Sequence, residues 1–224
     1  MKRILVLFLL SGLYFNHASS QDLYLNGTIG LNMGVIQNPI EINQQLLFYK
    51  PGGGLKLNAG IEYWTENNLI WNGQLGINAS FFSRYYILNN GAEYLSSYSF
   101  NWKSIEASLS KFILTEDSRN IDGFSIGGGM SLAIPGTAKL TENNQYLGSA
   151  EYQVNIGYHI LFNGYIEIHD LILVPGMRLN ILNFQMKNFE GPGFAPPDER
   201  FFNQNTLGAS FMMTFGKRIN KVQD

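Results

Sequence analysis

Residues 23–35, with the sequence LYLNGTIGLNMGV, decide the fold. Apolar and polar side chains alternate along this stretch, and a period of two residues is the pattern of a β-strand with two different faces. The polar face carries Asn, Thr and Gly instead of a band of charges. Such a face is unusual for a sheet in water, but it suits the crowded interior of a small closed barrel whose apolar face touches lipid.

The same alternation returns seven more times before residue 216, and the connections between these stretches alternate in length. The predicted long connections are 36–54, 82–97, 135–148 and 185–205, and the predicted short ones are 65–68, 114–121 and 163–165. Outer-membrane barrels have short periplasmic turns and longer external loops. The sequence therefore predicts an all-β fold, an eight-stranded antiparallel up-and-down transmembrane β-barrel with short periplasmic turns and long external loops.

Two of the predicted strands need a local irregularity if every apolar side chain is to face lipid. Trp102 and Ile105 lie on opposite parities, so a bulge is expected at Lys103-Ser104. Asn163-Gly164 is a strong hairpin signal. The strand after it must change parity once, either at His169-Asp170 or at Pro175-Gly176, and the second site is preferred because proline interrupts a ladder. Interfacial aromatic belts are expected from Tyr63, Trp64, Trp71, Tyr158, Phe162, Tyr165 and Phe215 at the periplasmic rim and from Phe81, Phe82, Tyr98, Phe100, Tyr146, Tyr152 and Phe184 at the external rim.

The N-terminus has the pattern of a secretory signal. Lys2 and Arg3 precede an apolar core at residues 4–10, and small residues lead to an expected cleavage after Ser20. Loss of these two cations takes the net charge from −2 to −4, which argues against nucleic acid as a partner. The chain contains no cysteine, so burial and hydrogen bonds must supply its stability. The expected organisation is a signal peptide at 1–20, an outer-membrane β-barrel at 21–216 and a short polar tail at 217–224.

The interior of an eight-stranded barrel is just filled by side chains. The charged residues expected to point into it are Lys56, Glu62, Glu106, Glu151 and Arg178. Buried charges are costly unless they are paired, so Lys56 and Arg178 are expected to meet two or more of these glutamates. We interpret the interior as a filled, structural polar core, with a gated pore as the alternative.

His159, Glu167 and His169 flank the expected hairpin at 163–165. With a three-residue connection, His159 would face His169 across the strands, and the pair could share a proton or a metal ion. Two histidines without a third ligand are a poor metal signal, so a hydrogen-bonded interior pair is the favoured reading. Both histidines are expected at the periplasmic end, away from the external mouth at which an enzyme acting on outer-leaflet lipid would need them. No catalytic, cofactor-binding or metal-binding residue is therefore assigned, and no cofactor is expected.

The most distinctive predicted loop is 185–205, which is rich in proline and aromatic residues. Proline restricts the backbone and aromatic side chains anchor contacts, so this loop either docks a partner or folds over the barrel mouth. The sequence leaves both readings open. Gly52-Gly53-Gly54 lacks the Lys-Ser/Thr and the helix of a phosphate-binding loop, and it reads as a flexible approach to the second strand.

These features together resemble the small bacterial outer-membrane β-barrel superfamily, the group of the OmpA transmembrane domain, OmpX and PorT-like porin-family proteins. The resemblance covers residues 22–216 and includes a last strand that ends in Phe215, similar to the signal read by the barrel-assembly machinery of this group. The tail at 217–224 departs from that pattern. The resemblance implies a non-enzymatic integral protein of the bacterial outer membrane that contacts lipid and acts through its external loops or rim.

Two alternatives stay open. The first is a PorT-like accessory subunit of an outer-membrane export or assembly complex, which would have a defined protein partner. The second is a soluble lipocalin-like carrier with its apolar face turned inward, because alternation alone does not say which face is inside.

Overall fold

The structure is a computed structural model and describes residues 22–36, 47–87, 93–114, 123–142, 144–191 and 204–219. The strands are β1 (Asp22–Ile36), β2 (Leu47–Trp64), β3 (Leu69–Ile87), β4 (Glu93–Leu114), β5 (Gly123–Pro135), β6 (Thr137–Glu142), β7 (Gln145–Tyr152), β8 (Asn155–Ile168), β9 (Leu171–Phe184), β10 (Met186–Glu190) and β11 (Gln204–Arg218). In these ranges, no helix has the length and apolarity needed to cross a bilayer. The expected signal peptide and part of each predicted connection at 36–54, 82–97, 114–121 and 185–205 lie outside the described residues.

Eight of these strands close into a barrel, as predicted. The order β4-β3-β2-β1-β11-β9-β8-β5 is completed by the pairing of β5 with β4, and all pairings are antiparallel. A path of paired residues that leaves β1 at Tyr24 and passes once around the barrel returns to β1 at Gly34. This offset requires tilted strands, as in other closed barrels, at roughly 35–45° to the axis.

The two ends of the barrel differ. The turn end carries the start of β1, the end of β11 and the tight turns at residues 65–68 and 169–170; the opposite end is called the loop end. The predicted turn at 65–68 is confirmed: the backbone N–H of Thr65 donates to the carbonyl of Leu69 at 2.9 Å. Asn68 has a φ of 56°, in the left-handed region that asparagine tolerates better than most residues.

Three strands continue the barrel wall toward the loop end. β6 follows β5 after Gly136, β7 precedes β8 across Gln153-Val154, and β10 follows β9 after Gln185. They pair in the order β4-β6-β7-β10, and we call β6, β7, β10 and the adjoining part of β4 the projecting sheet. The connection between the barrel strands β5 and β8 is long, as predicted at 135–148, but most of it is strand, and the chain reverses at Asn144, which has a φ of 66°.

Apolar side chains cover the outer surface of the barrel. Leu31, Leu57 and Leu75 are 60%, 56% and 64% exposed, whereas the alternate residues, such as Asn58 and Ser210, are buried. A surface of this kind is stable only against lipid. The predicted orientation is confirmed, and the lipocalin-like arrangement is excluded because its apolar face would line the interior.

Both predicted changes of parity are wrong. The β3–β4 pairing is continuous from Leu69 opposite Lys111 to Ile87 opposite Glu93, so there is no bulge at Lys103-Ser104 and Trp102 points inward. β9 also keeps one parity through Pro175-Gly176, which turns Ile172 and Val174 into the interior. The predictions assumed that every apolar side chain faces lipid, but both ends of the interior are themselves apolar.

The predicted hairpin at Asn163-Gly164 is also wrong. β8 runs through this pair to Ile168, and the chain reverses at His169-Asp170, where His169 has a φ of 60°. A turn at residue 163 would end the strand before Tyr165, which is 2% exposed and packs among the aromatic rings at the turn end. Tertiary packing of this ring overrides the local turn signal.

Candidate functional site: the barrel interior

An apolar cluster fills the interior at the turn end. Its members are Tyr24, Ile70, Phe112, Tyr165, Ile172 and Val174, with Trp64 packed against them. The ring centroid of Trp64 lies 4.8 Å from that of Phe112 and 5.0 Å from that of Tyr165, distances typical of favourable aromatic pairs. We call this cluster the aromatic floor. Trp64 and Tyr165 thus belong to the interior and not to the lipid-facing belt predicted for them.

Glu62 lies directly beside the aromatic floor and is 2% exposed. Its carboxylate accepts hydrogen bonds from Trp64 Nε1 at 2.6 Å and from Asn72 Nδ2 at 3.2 Å. None of the described residues forms an ion pair with it. Glu62 is therefore held by neutral donors, and the expected pairing with a cation is not found.

A central ion cluster crosses the interior from wall to wall. Lys56 Nζ of β2 donates to both carboxylate oxygens of Glu106 of β4 at 2.8 Å, and Arg178 Nη1 of β9 donates to the same carboxylate. Asn58 Nδ2 adds a fourth hydrogen bond at 3.1 Å. Lys56 and Arg178 are thus both paired, as expected, but with one shared glutamate.

His159 of β8 completes this cluster, which we define as Lys56, Glu106, His159 and Arg178. Its ring Nδ1 lies 2.9 Å from Arg178 Nη2. A guanidinium group can only donate, so Nδ1 accepts and the ring proton is placed on Nε2. The imidazole is therefore neutral in this arrangement, and the cluster contains two cations and one carboxylate.

Glu151 does not point into the interior, contrary to the prediction. The break at Gln153-Val154 separates β7 from β8 and resets the parity, so Tyr152 is buried while Glu151 is exposed. The backbone N–H of Gln153 donates to the carbonyl of Gln185 at 2.8 Å. This hydrogen bond joins the break between β7 and β8 to the break between β9 and β10.

His159, Glu167 and His169 do not form a common site. His159 pairs across the strands with Asn180, and His169 lies exposed in the turn, so the predicted pair of facing histidines is wrong. The prediction of facing histidines depended on a hairpin at 163–165, whereas the chain reverses at His169-Asp170. Among the described residues, no group of three His, Asp or Glu side chains has the geometry to hold a metal ion.

Glu167 belongs to a network at the turn end that sequence reasoning missed. Arg218 donates to Glu167 Oε1 at 2.5 Å and to the hydroxyl of Tyr24 at 2.8 Å and 3.1 Å, and it lies 3.5 Å from Asp22. β11 continues to Arg218, two residues beyond the predicted end of the barrel, and this extension brings the guanidinium to the start of β1. The last predicted strand ends near Phe215 because the tail after this residue is polar and lacks clear alternation. The continuation of the strand to Arg218 is therefore not predicted.

A second apolar cluster lies at the loop end, on the inner face of the projecting sheet. Its buried members are Trp102, Ala133, Ala138, Ala150, Tyr152, Leu182 and Phe184, with Met186 and Phe189 packed against them. Tyr152 and Phe184 are therefore interior residues and not part of the predicted external belt. Within the predicted loop 185–205, the first residues form β10, and residues 192–203 lie outside the described part of the chain, so its two readings are not decided.

Two small cavities flank the central ion cluster. The lower cavity, of about 30 Å³, is lined by Glu62, Asn72, Gln74, His159 and Thr214 among others. The upper cavity, of about 40 Å³, lies toward the loop end and is lined by Lys56, Trp102, Arg178, Asn180 and Phe184 among others. Glu106 and Arg178 line both cavities and separate them. Each cavity has room for only a few water molecules.

Comparison with known proteins gives a match at the level of structure. No protein-family model and no curated protein matches the sequence. Neisserial surface protein A (NspA) superposes with a TM-score of 0.51 at 12% identity, covering 89% of this chain and 99% of that one. OprG from Pseudomonas aeruginosa gives 0.45 at 11% identity (92% and 98% covered), and Ail from Yersinia pestis gives 0.38 at 12% identity (88% and 99% covered). This chain has a closed eight-stranded wall and an apolar outer surface, as a membrane-spanning barrel requires, and it shares the fold of NspA.

Proposed function

We propose that this protein is a non-enzymatic outer-membrane barrel that acts by contact, with the projecting sheet as its contact surface. The closed interior supports a non-enzymatic role. The imidazole of His159 and the carboxylate of Glu106 are both bound to Arg178, and Lys56 is bound to Glu106. The acid and base groups at the centre of the barrel are thus engaged in structural hydrogen bonds, and the two cavities beside them are too small for a lipid or a peptide.

The polarity of the projecting sheet is the observation that carries this proposal. On the strands that form it, the exposed side chains change from apolar to mostly polar at the level of the three breaks. Ile134, Ile156 and Ile181 are exposed below the breaks. Above them, the exposed side chains are those of Ser99, Asn101, Thr137, Lys139, Glu151, Gln185, Lys187, Asn188 and Glu190, with Tyr146 as an exposed aromatic residue among them. Hydrocarbon does not tolerate such a surface. The sheet therefore emerges from the bilayer and offers a polar face to other molecules.

β10 forms the edge of this sheet. It pairs with β7 on one side, and no described strand pairs with its other side. The polar face of the projecting sheet also favours the second candidate function, an accessory subunit of an outer-membrane export or assembly complex, because such a subunit needs a defined docking element.

Site-specific photo-crosslinking tests the proposal. A photoreactive amino acid at Lys187, on the projecting sheet, is expected to give a discrete protein adduct in native membranes. The same probe at Ile105, on the lipid-facing belt, is the matched control and is expected to give none. Failure of Lys187 to crosslink above the level of Ile105 contradicts a contact role for this sheet.

Gentle solubilisation then separates the two candidate functions. A stable complex that contains the crosslinked partner in fixed proportion supports the accessory subunit. Recovery of the barrel alone, with the adduct seen only after irradiation in membranes, supports a barrel with transient contacts.

A further inference from the structure

We propose that the upper cavity binds one small monovalent anion, of the class that includes halides and short-chain carboxylates. The cavity lies between the central ion cluster and the apolar wall formed by Trp102, Leu182 and Phe184. The proposal is independent of the contact function assigned to the projecting sheet.

The charge balance of the central ion cluster favours an anion. Lys56, Glu106 and Arg178 are 3%, 7% and 5% exposed, and they combine two positive charges with one negative charge. Glu62, the other buried carboxylate, lines the lower cavity and is bound by Trp64 and Asn72. Glu62 does not line the upper cavity, whereas Lys56 lines the upper cavity and not the lower one. An uncompensated charge in a poorly solvated interior is costly, and a nearby anion offsets that cost.

The upper cavity also offers hydrogen-bond donors that the protein does not use. The guanidinium group of Arg178 has five N–H donors, and among the described residues it bonds only to Glu106 and His159. The hydroxyls of Ser80 and Ser131 line the same cavity and form no hydrogen bond to another described side chain. Hydroxyl and guanidinium donors beside a net positive charge suit an anion, whereas a cation would be repelled.

The size and the apolar wall of the cavity define the class of anion. A cavity of about 40 Å³ holds a few water molecules or one small ion, and a single excess positive charge does not balance a dianion. The side chains of Leu182 and Phe184 give no hydrogen bonds to a strongly hydrated ion such as sulfate. A weakly hydrated halide or a short carboxylate with a small apolar group suits both the central ion cluster on one side of the cavity and the apolar wall on the other.

Quenching of Trp102 by iodide measures occupancy of this cavity. The chain has three tryptophans, so Trp64→Phe combined with Trp71→Phe leaves Trp102 as the only emitter. We expect iodide to quench Trp102 along a saturable curve, and neutral acrylamide to quench it weakly and linearly. At constant ionic strength, chloride and acetate are titrated separately, and the competitor that restores the emission at the lower concentration shows whether halide or carboxylate is preferred. Iodide quenching that is linear and unaffected by both competitors overturns the proposal.

A pair of charge-matched variants locates the effect. Lys56→Gln removes the excess positive charge and is expected to lower iodide quenching of Trp102 by about threefold or more. Lys103→Gln removes the same charge from the residue next to Trp102, but on the exposed outer face, and is expected to leave quenching unchanged. Equal effects of the two variants contradict a cavity site. If Lys56→Gln fails to fold, as shown by loss of heat-modifiable gel mobility, the competition titration alone decides the proposal.

Discussion

Replacing Glu106 by glutamine removes the single negative charge from the central ion cluster while keeping the shape of the side chain. The carboxylate accepts two hydrogen bonds from Lys56 at 2.8 Å, one from Asn58 at 3.1 Å and one from Arg178. A glutamine keeps one carbonyl acceptor and turns the other oxygen into an N–H donor that faces a cation. The two buried cations then repel each other without a counter-ion.

The expected loss of unfolding free energy is about 3 kcal/mol. Removing one partner of a buried ion pair costs roughly 3–5 kcal/mol, because the remaining charge stays buried and unpaired. Glu106 serves two cations, which raises the cost, whereas the cavities on either side of the cluster admit water, which lowers it. We therefore place the value at the lower end of that range.

The assay is urea unfolding of the barrel refolded into phospholipid vesicles, followed by tryptophan fluorescence and by heat-modifiable gel mobility. Glu167→Gln is the matched control, because it removes the same charge from the pair with Arg218 at the turn end, where Glu167 is 42% exposed. This control is expected to lose less than about 1 kcal/mol. A triple variant, Lys56→Met with Glu106→Gln and Arg178→Met, removes all the charges and is expected to recover most of the loss.

Two results would refute this reasoning. One is a Glu106→Gln barrel whose unfolding free energy lies within about 1 kcal/mol of the wild type, which is the range of an exposed pair. The other is a triple variant no more stable than Glu106→Gln, which would mean that packing at this level, and not unpaired charge, sets the stability.

Three further predictions concern the wall of the barrel. Gly129→Ala places a methyl group 2.2 Å from the backbone carbonyl oxygen of Ala107 and 2.7 Å from the ring Nε2 of His159, and it is expected to cost about 1–3 kcal/mol. Gly73→Ala meets nothing within 4 Å and is expected to be neutral in the same urea assay. Leu57→Arg on the lipid-facing belt is expected to lower the unfolding free energy by about 2–4 kcal/mol, and Gln153→Arg, at the level of the breaks, by less than about 1 kcal/mol. Equal losses would contradict a bilayer boundary at the level of the breaks. His169→Gly relieves a left-handed backbone at φ 60° and is expected to raise the unfolding free energy by about 0.5–1 kcal/mol, and a loss of stability would show that the histidine side chain is needed in the turn.

The architecture could be predicted from the sequence because alternation and lipid exposure act on every strand in the same way. Residues 23–35 already show an apolar face and a face of Asn, Thr and Gly, and the structure places the first against lipid and the second inside. The pairing of Lys56 and Arg178 with a glutamate also follows from the cost of burying a lone charge. The identity of the shared glutamate cannot be predicted in this way. The sequence pattern gives the face on which each residue lies, but contact between residues on different strands depends on the offset between those strands.

The errors in the interior have one physical cause. Trp102, Tyr152, Ile172 and Val174 are apolar, so a rule that every apolar side chain faces lipid predicts them on the outer surface, but each points inward. A period of two residues fixes which side chains share a face, but it does not require that a face keep one polarity along its length. The polar middle of the interior is surrounded by lipid and must be filled with hydrogen bonds, whereas its two ends are closed by rings that exclude water.

An apolar side chain on the polar parity of a barrel strand therefore has a specific meaning. A bulge is the alternative explanation, but a bulge leaves one residue unpaired and disturbs the ladder in a membrane that cannot satisfy a free backbone group. An inward aromatic ring avoids that cost and gains contacts with rings from other strands, as Phe112 does with Trp64 and Tyr165. Apolar side chains on the inward parity near a strand end thus indicate closure of the interior. In this chain, two groups of such side chains form the aromatic floor and the apolar cluster at the loop end, and the charged residues of the interior lie between them.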